Sequence, residues 1–147
     1  MNVRTPPARP ATVKCPFCGT LNRVDLARIS DLPKCGECKR PIRLDRPLAV
    51  DAASFDRVLA DTSVPVLVDF YADWCAPCRI MAPMLDEVAH ERTGEVLVLK
   101  LDTDANPTLS QRFGIRGIPT LIAFRGGRES GREVGVVDLA RIRKLVE

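Results

Sequence analysis

From residue 48 onward the chain alternates between short apolar runs and amphipathic stretches. Leu48 to Val50 reads as a short edge strand. Asp51 or Ser54 can cap a helix whose apolar face is Phe55, Val58 and Leu59. Pro65 to Ala72 is a run rich in β-branched and aromatic residues, the pattern of a buried strand. A helix is predicted from near Cys75 to about Arg92, stopped by Thr93-Gly94 and kinked at Pro83, with Met81 and Met84 on its core side. Val96 to Asp102 is the next strand. Asn106-Pro107 opens a short helix that ends at Gly114. Thr120 to Arg125 and Glu129 to Val134 flank Gly126-Gly127 as a hairpin. From Val137 a final helix turns Leu139, Ile142, Leu145 and Val146 inward. The order β-α-β-α-β-α-β-β-α predicts an α/β fold, a mixed sheet with helices on both faces.

The first 47 residues follow another pattern. Residues 1–13 are rich in Pro and Arg without periodicity and read as a flexible tail. Residues 14–46 read as a separate small module, with Arg46-Pro47 as a hinge before a main domain at 48–147. The module offers only Phe17, Leu21, Val24, Leu26, Ile29, Leu32, Ile42 and Leu44 for a core. That is too few for a unit of this size to fold without a metal or crosslinks. Charge divides at the same place. Residues 1–47 carry ten Lys/Arg against four Asp/Glu, and residues 48–147 carry twelve against fifteen.

The module's chemistry lies in Cys15-Pro16-Phe17-Cys18 and Cys35-Gly36-Glu37-Cys38. Two C-x-x-C pairs sixteen residues apart meet the spacing of a tetrathiolate metal site. The expected occupant is one structural Zn²⁺ held by Cys15, Cys18, Cys35 and Cys38, with binding and folding as one event. Two local disulfides or reactive thiols, or iron in place of zinc, are the alternatives.

The third pair, Cys75-Ala76-Pro77-Cys78, falls where a strand ends and a helix starts. Free N–H groups and the positive end of the helix dipole stabilise a thiolate there, so Cys75 is expected to be more acidic than a free thiol. Pro77 is compatible with a first helical turn. Cys78 is placed to attack a mixed disulfide formed at Cys75. Asp69 is a charge inside an otherwise apolar strand, which burial alone would disfavour.

Val68 to Ala89, VDFYADWCAPCRIMAPMLDEVA, resembles the active-site segment of the thioredoxin family, and the likeness extends over residues 48–147. It implies a thioredoxin fold and protein-disulfide reductase activity. Asp69 matches the family's buried Asp, which exchanges a proton with Cys78. Lys100, in VLVLKLD, matches the Lys near that Asp. FGIRGIPT, Phe113 to Thr120, matches the segment ending in a cis-proline. The resemblance thus puts Trp74, Ala76, Pro77, Ile118, Pro119 and Gly135 on the substrate side. Ala76 stands where Gly is usual, and Tyr71 where Trp is frequent. The four-cysteine module followed by this domain resembles the zinc-containing subgroup of bacterial thioredoxins. That likeness implies disulfide-containing protein substrates and an NADPH-dependent thioredoxin reductase as electron donor.

Other classes are disfavoured. No apolar stretch approaches the ~18 residues of a membrane span. The N-terminus MNVRTPPARPATVK has no apolar h-region, so the reading is a cytoplasmic protein, taken as a monomer. The basic module lacks interleaved aromatics, which argues against nucleic acid. His90, the only histidine, reads as a solvated residue near a helix end with no catalytic part. A zinc-thiolate redox sensor or binding module, in which oxidation releases metal, is the competing function.

Overall fold

The computed structural model describes residues 8–147. Of the expected tail, residues 1–7 lie outside the described residues. Residues 10–13 do not form a tail. Strand β1 (Pro10–Lys14) pairs antiparallel with β2 (Leu21–Asp25) in the register Pro10↔Asp25 to Lys14↔Leu21. Ala11, Thr12 and Val13 are buried, because the strand is covered by its hairpin partner and by the main domain. A 3-10 helix, Leu26–Asp31, follows, capped by the Asp25 carboxylate accepting from the Ala27 N–H at 3.0 Å.

The main domain contains β3 (Leu48–Ala49), α1 (Phe55–Asp61), β4 (Val66–Tyr71), α2 (Ala76–Glu91), β5 (Leu97–Asp102), α3 (Pro107–Arg112), β6 (Thr120–Arg125), β7 (Arg128–Val134) and α4 (Leu139–Leu145). The sheet order is β3-β5-β4-β6-β7. β3, β5 and β4 are parallel, and β6 and β7 are antiparallel to their neighbours. Alternation along β4 divides the core. Val66, Val68 and Phe70 face α1 and α3 and join a cluster with Phe55, Val58, Leu109 and Phe124. Leu67 faces α2 and α4 and packs with Met81, Leu85, Val88 and Ile142. Asp69 shares the face of Leu67 and lies beside α2. That helix continues through Pro83 to Glu91 as one element.

The four-cysteine unit is not a tethered module. Its Val13, Val24, Leu26, Ile42 and Leu44 belong to the same apolar cluster as α1 and β4. β1 is tied to the end of α1 by polar contacts. Thr12 Oγ1 donates to Asp61 at 3.0 Å, and the Ser63 N–H donates to the Pro10 carbonyl at 2.9 Å. Lys14 Nζ meets Asp51 at 2.7 Å. Across the interface Arg9 donates to the Gly94 carbonyl at 3.2 Å. Three residues expected in the unit's own core are exposed instead: Phe17, Leu21 and Leu32. The reason is that the main domain supplies the apolar partners, so the outer side chains need none. Phe17 stacks under the Arg40 guanidinium, 4.9 Å from its ring centre. The predicted hinge is pinned as well. Arg43 and Arg46 both donate to Asp45, and Leu44 and Leu48 on either side are buried.

Candidate active site and four-cysteine centre

β4 ends at Tyr71, and the chain turns through Ala72 to Trp74 into α2. Cys75 occupies the N-cap, with extended backbone (φ −83°, ψ 109°), and its Sγ accepts the N–H of Cys78 at 3.2 Å. Its sulfur therefore takes the place that a serine or aspartate oxygen usually fills at a helix start. Pro77 sits in the first turn, where no intrahelical bond is lost. Cys75 and Cys78 are disulfide-bonded, with Cα atoms 5.3 Å apart. Both are buried, while Ala76 and Pro77 between them are exposed.

Three further segments converge on this pair. Ile118-Pro119 is a cis peptide, and the Ile118 carbonyl oxygen lies 3.7 Å from Cys75 Sγ. The Gly135 N–H donates to the Pro119 carbonyl at 2.8 Å, with Gly135 at φ +85°, a conformation that favours glycine. Trp74 is 67% exposed beside the motif, and its indole N–H donates to Asp104 at 2.8 Å. Tyr71 packs with Ile118 against Ala72 and the two cysteines.

Asp69 is 6% exposed and stands opposite Lys100 in the parallel register of β4 and β5. Burial pushes its carboxyl up to about 7, against the opposing pull of Lys100. Its Oδ1 has no hydrogen-bond partner. Asp69, Cys78 and Lys100 line one cavity of about 210 Å³ behind the first turn of α2. Lys100 is exposed, so its stem leaves the sheet and its charge reaches Asp69 from the solvent side.

The sulfurs of Cys15, Cys18, Cys35 and Cys38 all lie within 4.8 Å of one another. Two of the separations are 3.7 Å (Cys15–Cys38) and 3.5 Å (Cys18–Cys35). A tetrahedral tetrathiolate with Zn–S near 2.3 Å needs sulfur–sulfur edges of about 3.8 Å. The donors and their spacing fit such a centre. Backbone N–H groups of Phe17 and Glu37 point at Cys15 and Cys35, each at 3.4 Å. Asn22 bonds Cys35 Sγ through its amide N–H at 3.5 Å and accepts the Gly36 N–H at 2.9 Å. These donors stabilise thiolate charge around the centre.

The structure thus assembles every residue expected at the site. Sequence reasoning missed Asp104 and Asn22. Each is an ordinary polar residue in a loop or a hairpin, and only the fold reveals its partner.

A disulfide at a helix start, beside the Ile118-Pro119 segment, has the geometry for thiol–disulfide exchange. The protein is a thiol–disulfide oxidoreductase. Comparison with known proteins gives the same class. The family model described as thioredoxin matches residues 46–147, and the one described as the N-terminal zinc ribbon of thioredoxin 2 matches residues 14–40. Thioredoxin C-3 of Corynebacterium nephridii is 33% identical over 135 residues, 92% of each chain. A thioredoxin of Synechocystis is 45% identical over 98 residues, 67% of this chain and 92% of its own length. A solved mutant thioredoxin from Halobacterium salinarum superposes with a TM-score of 0.66 at 36% identity, over 72% of this chain and 92% of that one. The chain belongs to the thioredoxin family and carries that family's N-terminal zinc-ribbon unit.

Proposed function

We propose that this protein reduces protein disulfides through nucleophilic attack by Cys75 and resolution by Cys78, with Asp69 as the proton acceptor for Cys78. In the reduced protein the Cys75 thiolate attacks one sulfur of the substrate disulfide. A mixed disulfide forms, and the first substrate thiolate leaves and takes a proton from water. Cys78 then gives its proton to the Asp69 carboxylate, and its thiolate attacks Cys75 Sγ. The Cys75–Cys78 disulfide forms as the second substrate thiolate departs. Two electrons pass from the protein dithiol to the substrate. Lys100 biases Asp69 toward the ionised form that accepts the proton.

Trp74, Ala76, Pro77, Ile118, Pro119 and Gly135 form the surface that meets the substrate. An extended peptide can pair with the backbone at Ile118, whose carbonyl lies beside Cys75 Sγ. The single observation that carries the reading is the contact of Cys75 Sγ with both the Cys78 N–H and the Ile118 carbonyl. Attack site and docking strand thus share one atom's neighbourhood.

Cys15, Cys18, Cys35 and Cys38 would hold one Zn²⁺, which would offset two of the four thiolate charges and supply no redox chemistry. The electron donor is an NADPH-dependent thioredoxin reductase. No helix among the described residues is long and apolar enough to cross a membrane. The reducing activity suits the cytoplasm, where such donors keep thiols reduced.

The test is dithiothreitol-driven insulin reduction, followed by NADPH oxidation with a thioredoxin reductase, on protein of measured zinc content. Turnover by the wild type, none by Cys75→Ser and one zinc per chain are expected. Equal rates for the two proteins would remove the proposal.

A further inference from the structure

The zinc-ribbon unit carries a groove of its own, of about 310 Å³, which the disulfide chemistry does not use. Ile29, Leu32 and Pro33 line it from the end of the 3-10 helix, and Pro41, Ile42 and Leu44 from the chain that leaves Cys38. The two segments are joined where the Ile42 N–H donates to the Pro33 carbonyl at 2.9 Å. Leu32 is the odd member. It is 71% exposed, and its backbone is left-handed at φ +55°. Glycine reaches that region at far lower cost. An exposed leucine gains no interior packing to offset the strain, which points to a contact outside the chain.

We infer that this groove docks an extended segment of a partner protein in which apolar and acidic residues alternate, with Leu32 as its apolar contact. Three observations carry it. First, the groove is open and its lining is mostly aliphatic and proline, the character of an interaction patch. It has no aromatic ring for base stacking, which sets a protein segment ahead of a nucleic acid. Second, its surroundings are basic. Residues 28–34 and 40–46 hold Arg28, Lys34, Arg40, Arg43 and Arg46 against Asp31 and Asp45, five charges against two. Asp31 is taken by Arg28, and Asp45 is shared by Arg43 and Arg46. Lys34 is exposed and forms no ion pair among the described residues. The excess positive charge suits Asp and Glu side chains. Third, among the described residues the N–H groups of Arg43, Leu44 and Asp45 donate to no backbone carbonyl. A row of free backbone donors is what an extended peptide pairs with.

The unit meets the main domain at the starts of β4 and β5, where Ser63 donates to the Pro10 carbonyl and Arg9 to the Gly94 carbonyl. Cys75 follows the other end of β4, six residues and about 20 Å along the strand. A segment held by the zinc-ribbon unit therefore leaves Cys75 open. The unit recruits a partner while the disulfide reacts.

The test uses the full zinc-loaded chain and fluorescein-labelled peptides, read by anisotropy. The peptide Glu-Leu-Glu-Leu-Glu-Leu-Glu should bind, and Lys-Leu-Lys-Leu-Lys-Leu-Lys should not. Binding should fall as salt is raised to about 0.5 M, because charge attracts the segment. Leu32→Gly should weaken the acidic peptide about tenfold, the worth of one buried leucine contact. Its melting midpoint should stay close to that of wild type, since glycine accepts the left-handed backbone, and this separates lost docking from lost folding. Lys34→Glu, an exchange of an exposed side chain, should weaken the same peptide and leave the midpoint unmoved. Equal affinity for the two peptides, or wild-type affinity in Leu32→Gly, would overturn the docking site. Binding of oligothymidylate in place of the acidic peptide would overturn it too, by making the basic rim a nucleic-acid surface.

Discussion

Asp69 and Lys100 face each other across adjacent parallel strands, yet the carboxyl is buried, the ammonium is solvated, and Asp69 Oδ1 accepts no hydrogen bond. A structural ion pair would bring these groups into contact. Here the lysine charge only moderates the cost of burial, and the carboxyl is left able to gain and lose a proton.

That arrangement makes Asp69 a stability liability. Its folded value of about 7 stands above the unfolded value of 3.8. Between these limits the native state holds a proton that the unfolded chain has released. Stability contributed by this group therefore falls as pH rises from about 4 to 7, and the full cost is present above 7. Asp69→Asn is expected to stabilise the protein at pH 8, with roughly 4 kcal/mol as the upper bound, and to change little at pH 3.5. Urea denaturation at the two pH values checks this. Equal effects at both would show that the burial cost is not electrostatic.

Gly94 tests the docking of the zinc-ribbon unit. It has φ +83°, and a Cβ built there would meet the Leu26 carbonyl oxygen at 2.8 Å. Gly126 is the natural comparison, with φ +59° and open space around it. Gly126→Ala should cost only backbone strain, about 1–2 kcal/mol. Gly94→Ala should cost about 1–2 kcal/mol more, because two backbones from the two units must separate. Thermal melts of both variants measure the difference, and similar losses would argue against tight docking at Leu26.

Metal removal should be felt throughout the protein. Val13, Val24, Leu26, Ile42 and Leu44 share a cluster with α1 and β4, so unfolding the four-cysteine unit exposes part of the main core. A strong chelator, or Cys35→Ser, is expected to lower the melting midpoint of the whole chain by on the order of 10 °C in one cooperative transition. Two separate transitions, with the main one unmoved, would show that the units fold independently.

Much of this architecture is legible in the sequence. Pro65 to Ala72 and Val96 to Asp102 declare themselves by β-branched runs, and Cys75-Ala76-Pro77-Cys78 by its place between a strand and a helix. The four-cysteine spacing likewise locates its centre. What escapes is whatever depends on contact between the two units. Pro10 to Lys14 carries only a short apolar run after a Pro/Arg-rich start, and its burial comes from β2 and α1. Phe17 and Leu32 look like core residues because nothing local shows that the main domain provides the core. Arg46-Pro47 has the composition of a hinge, but Asp45, held by Arg43 and Arg46, keeps that segment against the cavity at Asp69. The pairing of Trp74 with Asp104 depends on how the loop after β5 folds back, which no periodicity records.

The central claim is that Cys75 attacks and Cys78 resolves. It is tested most directly by mixing reduced Cys78→Ser with a protein disulfide and mapping the adduct by peptide mass spectrometry. A stable mixed disulfide on Cys75, absent from Cys75→Ser and released by dithiothreitol, is the predicted result. No adduct at Cys75, or one of equal yield formed through Cys78 in Cys75→Ser, would contradict the account.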